Sequence, residues 1–359
     1  MGAGIAQVAL EAGDEVILHD LDPRSIGRAR DRVRDGLTRR AVSLQVDDDA
    51  ASEGWVDLRL DRLRSTGTLD ALGSEAEIVI EAVLEDLELK RATFRTLDGA
   101  ARRDTILATN TSALSVAAIA SATARPQRVL GLHFFNPVPL MALVEVVVTE
   151  SASRSVVERA ATIVRRWGRT TVRCADTPGF IVNRVNRPFT IQALRMLEDG
   201  EASVVAIDEA MRAGGFPMGP FALMDLVGID VNVAAATAIW EGLARPERLR
   251  PSPIQARLVA AGRLGRKTGS GFYRYIDGVP TGVEADVAGP SIARLGPDLI
   301  RERIVTSVAD EARKLVDDGI ATVADIDLAL RLGAGHPPRT APGTGHVAGR
   351  AIGALRSMP

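Results

Sequence analysis

The sequence has very little of several things, and each shortage excludes a class of protein. A single cysteine, Cys174, in 359 residues excludes an intramolecular disulfide and a zinc site built on thiolates. The four histidines show no His-x-x-x-His or His-Glu-x-x-His spacing, so no metal site is expected. Only three of the 44 basic residues are lysines (Lys90, Lys267, Lys314). With so much alanine and glycine, the arginine excess reads as genome base composition rather than an arginine-dependent function. The net charge of −2 provides no global basic field for nucleic acid or an anionic membrane. No apolar run approaches the ~18 residues of a spanning helix. The N-terminus shows no basic segment followed by an apolar one, so a soluble cytoplasmic protein is expected. What remains, 46% apolar and 25% charged, is ordinary globular composition, and the length suggests two or three domains.

Strands and helices alternate over about the first 175 residues. Apolar runs of strand length are Glu15–His19, Glu77–Ala82, Thr105–Thr109, Arg128–His133 and Leu143–Thr149. Helical stretches lie between them at Pro23–Arg40, Leu87–Ala101, Val116–Ser121 and Val156–Trp167. This rhythm predicts a doubly wound parallel α/β sheet over residues 1–176. After Asp176-Thr-Pro-Gly179 strands become rare and helical patterns dominate, starting with Ile181–Asp199 and again near Val204. Leu197-Glu-Asp-Gly200 through Asp208-Glu-Ala-Met211 returns 119 residues later as Val316-Asp-Asp-Gly319 through Asp327-Leu-Ala-Leu330. An all-α region with a duplicated unit is expected. Its copies fall at 177–284 and, partially, 298–359, joined by a linker at Ala285–Pro297. From Gly333 the chain is rich in glycine and proline and reads as irregular.

The chain opens Met1-Gly-Ala-Gly-Ile-Ala-Gln7, followed by a helix to about Ala12 and a strand ending at His19-Asp20. That is the second half of a dinucleotide-binding βαβ unit. A glycine-rich turn lets a pyrophosphate approach the helix N-terminus, where N–H groups and the helix dipole favour anions. An acid after the second strand, here Asp20, hydrogen-bonds the adenine ribose, and its charge selects NAD over NADP. The competing reading of this stretch alone is a helix start whose small residues merely pack closely.

The most informative string is His133-Phe-Phe-Asn-Pro-Val-Pro-Leu-Met-Ala-Leu-Val-Glu-Val146. His133 ends an apolar strand, where ligand sites of open α/β sheets lie. Pro137 and Pro139 force a loop, and Glu145 sits on the next strand, so the two side chains can meet. A carboxylate on one ring nitrogen fixes the tautomer and leaves the other nitrogen basic. The alternative is a core histidine beside a surface glutamate.

Together with Asn110-Thr-Ser112 and Thr177-Pro-Gly-Phe-Ile-Val-Asn-Arg184, this string resembles the NAD-dependent L-3-hydroxyacyl-CoA dehydrogenase family. The likeness extends through Glu81-Ala-Val-Leu-Glu-Asp-Leu-Glu-Leu-Lys90, Gly215-Phe-Pro-Met-Gly-Pro220 and Gly265-Arg-Lys-Thr-Gly-Ser-Gly-Phe-Tyr273, nearly the whole chain. It implies a Rossmann-type domain followed by helical units. It also implies roles: His133 as catalytic base, Glu145 as its orienting partner, Ser112 and Asn183 at the substrate oxygen. Gly2, Asp20, Glu85, Lys90, Asn110, Ser112 and Asn136 match cofactor contacts. The implied reaction oxidises a 3-hydroxyacyl-CoA to the 3-ketoacyl-CoA with NAD, or the reverse, as in fatty-acid β-oxidation. Gly214 through Asn232 is most similar to members acting on short or dicarboxylic acyl chains. The motifs at Gly215–Pro220 and Gly265–Phe272 read as structural connections, and Cys174 as a small buried hydrophobe beside a strand. The second helical copy suggests either a homodimer or a pseudo-dimer, in which it takes a partner subunit's place. No metal, nucleic acid or membrane partner is expected.

Three departures from the family bear on these expectations. The first strand and the first two glycines of the fingerprint have no counterpart here. That would expose two strand edges and open a gap in the core, and it points to a misassigned start or to a decayed copy. Residues Ala41–Val56, with Asp47-Asp-Asp49 and Gly54, look acidic and less regular than the family's helical hairpin, so no CoA contacts carry over. After Gly335 the second unit lacks the Gly-Pro pair of the first. An enzyme and a catalytically inactive relative acting as a binding or structural protein therefore both stand as readings. A lysine-based 3-hydroxyisobutyrate dehydrogenase is disfavoured, because no lysine follows the domain boundary on its helix.

Overall fold

The computed structural model describes residues 1–46 and 49–338. They form two compact units, Met1–Asp176 and Thr177 onward.

The first unit runs α1 (Gly2–Glu11), β1 (Val16–Leu18), α2 (Pro23–Ser43), α3 (Asp49–Leu60), β2 (Leu63–Ser65), α4 (Leu69–Glu75), β3 (Ile78–Glu81), α5 (Leu87–Ala100), β4 (Ile106–Thr109), α6 (Val116–Ala120), β5 (Val129–Phe134), β6 (Leu143–Val148), α7 (Arg154–Arg166) and β7 (Thr170–Ala175). Asp22, Thr68, Asp86, Ser115 and Ser153 cap α2, α4, α5, α6 and α7, each side chain accepting a first-turn N–H. Strands β3-β4-β5-β6-β7 form one sheet, and β1-β2 a separate parallel pair. Among the described residues no strand joins the two.

Helix α1 packs on both sheets. Ile5, Val8 and Ala9 join the core of β4, β5, β6 and α7, while Ala6 and Leu10 face Val33, Leu37, Val56 and Leu60. A helix apolar all round is a buried helix. Val16, Ile78 and Ile80 border this core and stay only half-buried, as unpaired strand edges do.

The structure corrects several expectations here. The sheet is mixed, because β6 runs antiparallel to β5. The short loop between them cannot make the crossover that a parallel pair needs. Polar β7, whose outer positions are Thr171 and Arg173, pairs parallel to β6 at the sheet edge and contains the buried Cys174. The region after Ala41 is not irregular, since α2 and α3 form a helical hairpin; Asp47 and Asp48 lie outside the described residues.

The second unit contains α8 (Val182–Val185), α9 (Arg187–Glu198), α10 (Val204–Ala213), α11 (Pro220–Val227), α12 (Ile229–Gly242), α13 (Pro253–Ala260), β8 (Tyr273–Ile276), β9 (Val279–Val283), α14 (Pro297–Asp317) and α15 (Val323–Gly333). The helix expected over Ile181–Asp199 is two helices meeting at Asn186, just before Pro188. The β8–β9 hairpin was hidden by Tyr, Arg and Gly in place of an apolar run.

The internal repeat is structural. Helices α9 and α14 end 119 residues apart, at Gly200 and Gly319 with φ of 62° and 67°. Glycine adopts this left-handed geometry without Cβ strain. Ser203 and Thr322, again 119 apart, cap α10 and α15. Helix α14 packs against α9 and α10 and buries Ile300, Ile304, Val308 and Leu315. The tail from residue 339, which was expected to be irregular, lies outside the described residues. Among those residues no single helix is long and apolar enough to cross a membrane.

Candidate active site

The site of the first unit gathers where β3, β4 and β5 end. Antiparallel pairing sets His133 of β5 opposite Glu145 of β6 in register. The ring Nδ1 lies 2.6 Å from a Glu145 carboxylate oxygen. His133 is 4% exposed and Glu145 wholly buried. A carboxylate only accepts, so Nδ1 carries the hydrogen in the neutral ring and Nε2 holds the basic lone pair. The Phe135 ring packs against the imidazole, 4.5 Å between centroids. The chain then turns through exposed Asn136 and a cis peptide bond to Pro137.

Asn110 follows β4 directly. Its backbone N–H donates to the Glu81 carbonyl, and its side-chain oxygen accepts the Phe134 N–H. It thereby fixes the ends of three strands relative to one another.

Glu85 organises the next loop. It accepts hydrogen bonds from the Thr111 hydroxyl at 2.5 Å, the Ser112 N–H at 2.8 Å and the Ala113 N–H at 3.1 Å. Burial alone would raise this carboxyl. The bonds from Thr111, Ser112 and Ala113, with the Lys90 charge, outweigh burial and hold it below the usual range. Ser112 itself is exposed beside Glu85.

Lys90 is 1% exposed and donates to Glu81 at 2.7 Å, with Glu85 3.4 Å away. Its ammonium is closed over by these two acids, so its visible work is to hold Glu81 and Glu85 in place. Glu81 also accepts from the Thr109 hydroxyl and the Val83 N–H. In the sequence, only an acid at a strand end nine residues before a lysine hints at this buried role.

At α1, Met1 supplies no side-chain cap, and a Cβ on Gly2 would meet nothing within 4 Å. The first-turn N–H groups and the dipole of α1 favour an anion at this end. Gly4 is tighter, since a Cβ there would sit 3.0 Å from Val138. Asp20 is exposed after β1 and accepts the Asp22 N–H. A helix start with an exposed acid after the adjoining strand fits a dinucleotide without a 2′-phosphate.

In the second unit Asn183 lies half-buried on α8. The two glycine-rich motifs are tied by buried aspartates. Asp208 accepts the N–H groups of Phe221 and Ala222 and the Tyr273 hydroxyl. Asp225 accepts those of Phe272 and Tyr273 and the Tyr275 hydroxyl. A Cβ on Gly219 would stand 2.3 Å from Asp208, and one on Gly271 2.1 Å from Asp225. These glycines permit the approach. Lys267 pairs with Asp230.

A mixed α/β sheet with a small-residue helix start and a buried histidine–carboxylate pair fits a dinucleotide-dependent oxidoreductase. Comparison with known proteins sharpens this. The family model for the 3-hydroxyacyl-CoA dehydrogenase NAD binding domain matches residues 1–177, and that for the C-terminal domain matches 179–275 and 300–352. The chain belongs to the 3-hydroxyacyl-CoA dehydrogenase family, whose members are NAD-dependent oxidoreductases. It is 43% identical to 3-hydroxyadipyl-CoA dehydrogenase of Escherichia coli over 76% of this chain, spanning 56% of that protein's length. It is 41% identical to the mitochondrial hydroxyacyl-coenzyme A dehydrogenase of Rattus norvegicus over 77% of this chain and 88% of that one. The crystal structure of 3-hydroxybutyryl-CoA dehydrogenase from Escherichia coli superposes with a TM-score of 0.83 at 32% identity, covering 98% of this chain and 90% of that one.

Proposed function

We propose that this protein oxidises the 3-hydroxyl of a (3S)-3-hydroxyacyl-CoA to the ketone and runs the reverse reduction, with His133 exchanging the proton. The observation that carries this reading is the buried His133–Glu145 pair at 2.6 Å. Bound NAD would supply the acceptor for the hydride on C3. His133 Nε2 takes the hydroxyl proton as that hydride leaves, and the imidazolium so formed is stabilised by the Glu145 carboxylate. In the reverse direction the imidazolium returns the proton. Ser112 and Asn183 are assigned to hydrogen-bond the substrate oxygen as its charge changes. The α1 N-terminus with Gly2 would hold the pyrophosphate of NAD and Asp20 its adenine ribose. Glu85, Asn110 and Asn136 shape the nicotinamide end, with Lys90 positioning Glu85. The domain limits 1–176, 177–284 and 298–359 are part of this reading, as are a cytoplasmic location and a second helical copy acting in place of a partner subunit.

The test is NADH oxidation with acetoacetyl-CoA. Turnover is expected, and His133→Gln should lower kcat about 10³-fold while NADH binding, followed by fluorescence, persists. A wild-type chain that binds NADH but turns over neither acetoacetyl-CoA nor longer ketoacyl-CoAs would overturn the reading.

A further inference from the structure

The end of β3 and the loop after it hold more negative charge than their one cation can cancel. Glu81 is 5% exposed and takes three donors: the Lys90 ammonium, the Val83 N–H and the Thr109 hydroxyl, each at 2.7 Å. Every one of these partners donates, which suits an ionised carboxylate. Glu85, four residues on, takes the Thr111 hydroxyl and the Ser112 and Ala113 N–H groups on one oxygen. Its other oxygen lies 3.4 Å from the same Lys90 ammonium. Against burial, these bonds and the Lys90 charge keep the Glu85 carboxyl below the usual range, so it is ionised at neutral pH. Among the described residues Lys90 is the only cation paired with either acid. Two carboxylates and one ammonium leave a surplus of one negative charge.

Tying the strand ends together does not call for this surplus. A neutral amide at 81 or 85 would still accept backbone and hydroxyl hydrogens. A charge held away from water without its own counter-charge is costly. Asp98, a buried acid on α5, is provided for differently: it meets two guanidiniums, Arg128 at 2.6 Å and Arg125 at 3.3 Å. Glu145 is committed to His133. A surplus carboxylate beside a cofactor site marks a functional position.

We propose that Glu81, Lys90 and Glu85 act as one charged unit that discriminates between the redox forms of the cofactor, favouring NAD+ over NADH, with Glu81 as a specificity-determining residue behind Lys90. This rests on the reading that sets Glu85 at the nicotinamide end. The two forms share adenosine, pyrophosphate and the second ribose. They differ by a positive charge on the oxidised ring, and a nearby surplus carboxylate favours that charge. The Glu85 side chain is 41% exposed, so solvent and salt weaken its field. The Glu81 side chain is 2% exposed and enclosed by its three donors, so it works through charge alone and is screened less.

The experiment measures equilibrium binding of NAD+ and of NADH, each by calorimetry, to wild type and to Glu81→Gln and Glu85→Gln. The ratio of the NADH Kd to the NAD+ Kd reads the ring charge and cancels the contacts that the two forms share. Each variant should lower this ratio about fivefold. Equal weakening of both forms by Glu81→Gln would make Glu81 structural and overturn the proposal. A ratio changed by Glu85→Gln but not by Glu81→Gln would assign the effect to a direct contact of Glu85 and overturn it too. If Glu81→Gln does not fold, Glu85→Gln decides alone, and a ratio equal to that of wild type overturns the proposal. All of these outcomes leave the dehydrogenase reading intact. A wild-type chain that binds neither form would instead remove the cofactor assignment on which the proposal rests.

Discussion

At the scale of the residue, the central pair follows from two near-continuous apolar strands joined by a proline loop. His133 and Glu145, twelve apart, meet because the antiparallel register sets them opposite each other, and both are buried because these strands are covered on both faces. That much was legible in the sequence. The Glu81–Lys90 pair was not, because a charged residue on a buried face reads like one on a solvated face until the packing is known. Charge and orientation at Glu145 can be separated. Glu145→Gln keeps an oxygen that accepts the Nδ1 hydrogen but removes the charge that stabilises the imidazolium, whereas Glu145→Ala removes both. In hydroxyacyl-CoA oxidation, kcat should fall about 100-fold in the glutamine variant and further in the alanine variant. A glutamine variant within twofold of wild type would reduce Glu145 to an orienting role.

At the scale of the element, the repeats and punctuation were easier to read than the edges. The 119-residue offset survives as matched helix ends and matched caps because αL glycines and Ser/Thr caps are local devices. Strand β2 shows only three residues, one of them buried, and β7 has few apolar positions, so neither stood out. The function of the Gly215–Pro220 motif also became clear only in three dimensions. Asp208 reaches from α10 to the first turn of α11 and to Tyr273 of β8. Burial pushes its carboxyl up to about 6, against the N–H groups of Phe221 and Ala222 and the Tyr273 hydroxyl. The folded state therefore holds this proton more tightly than the unfolded chain, where the group titrates near 3.8. Its contribution is full below about pH 4 and is lost as pH rises through about 6, by about 3 kcal/mol at most. Asp208→Asn cannot ionise. The stability of wild type relative to this variant, from urea melts between pH 4 and 7, should fall by that order as pH rises. A difference independent of pH would mean that Asp208 stays ionised throughout.

At the scale of the whole chain, the second helical copy is held to the first by charge as well as by apolar contact. Glu311 of α14 is 1% exposed and accepts Arg184 at 2.9 Å and Arg248 at 2.6 Å. Arg184 also donates to Thr177 and pairs with Asp318. Arg184 closes the Thr177–Arg184 motif, whose sequence hinted at function but not at this anchoring. One carboxylate from the late copy thus compensates two guanidiniums of the early one, the buried Arg184 and the partly exposed Arg248. Glu311→Ala should destabilise the second unit by about 3 kcal/mol, because it leaves the buried Arg184 with only the exposed Asp318 as a charge partner. Helix α14, which buries Ile300, Ile304 and Val308, already packs on α9 and α10. If that packing replaces a subunit contact, wild type should sediment at the 38.1 kDa of one chain. Glu311→Ala should then associate further as α14 loosens and uncovers α9 and α10. A wild-type dimer whose mass does not respond to Glu311→Ala would show that assembly uses a different surface. In that case α14 serves only to complete its own unit.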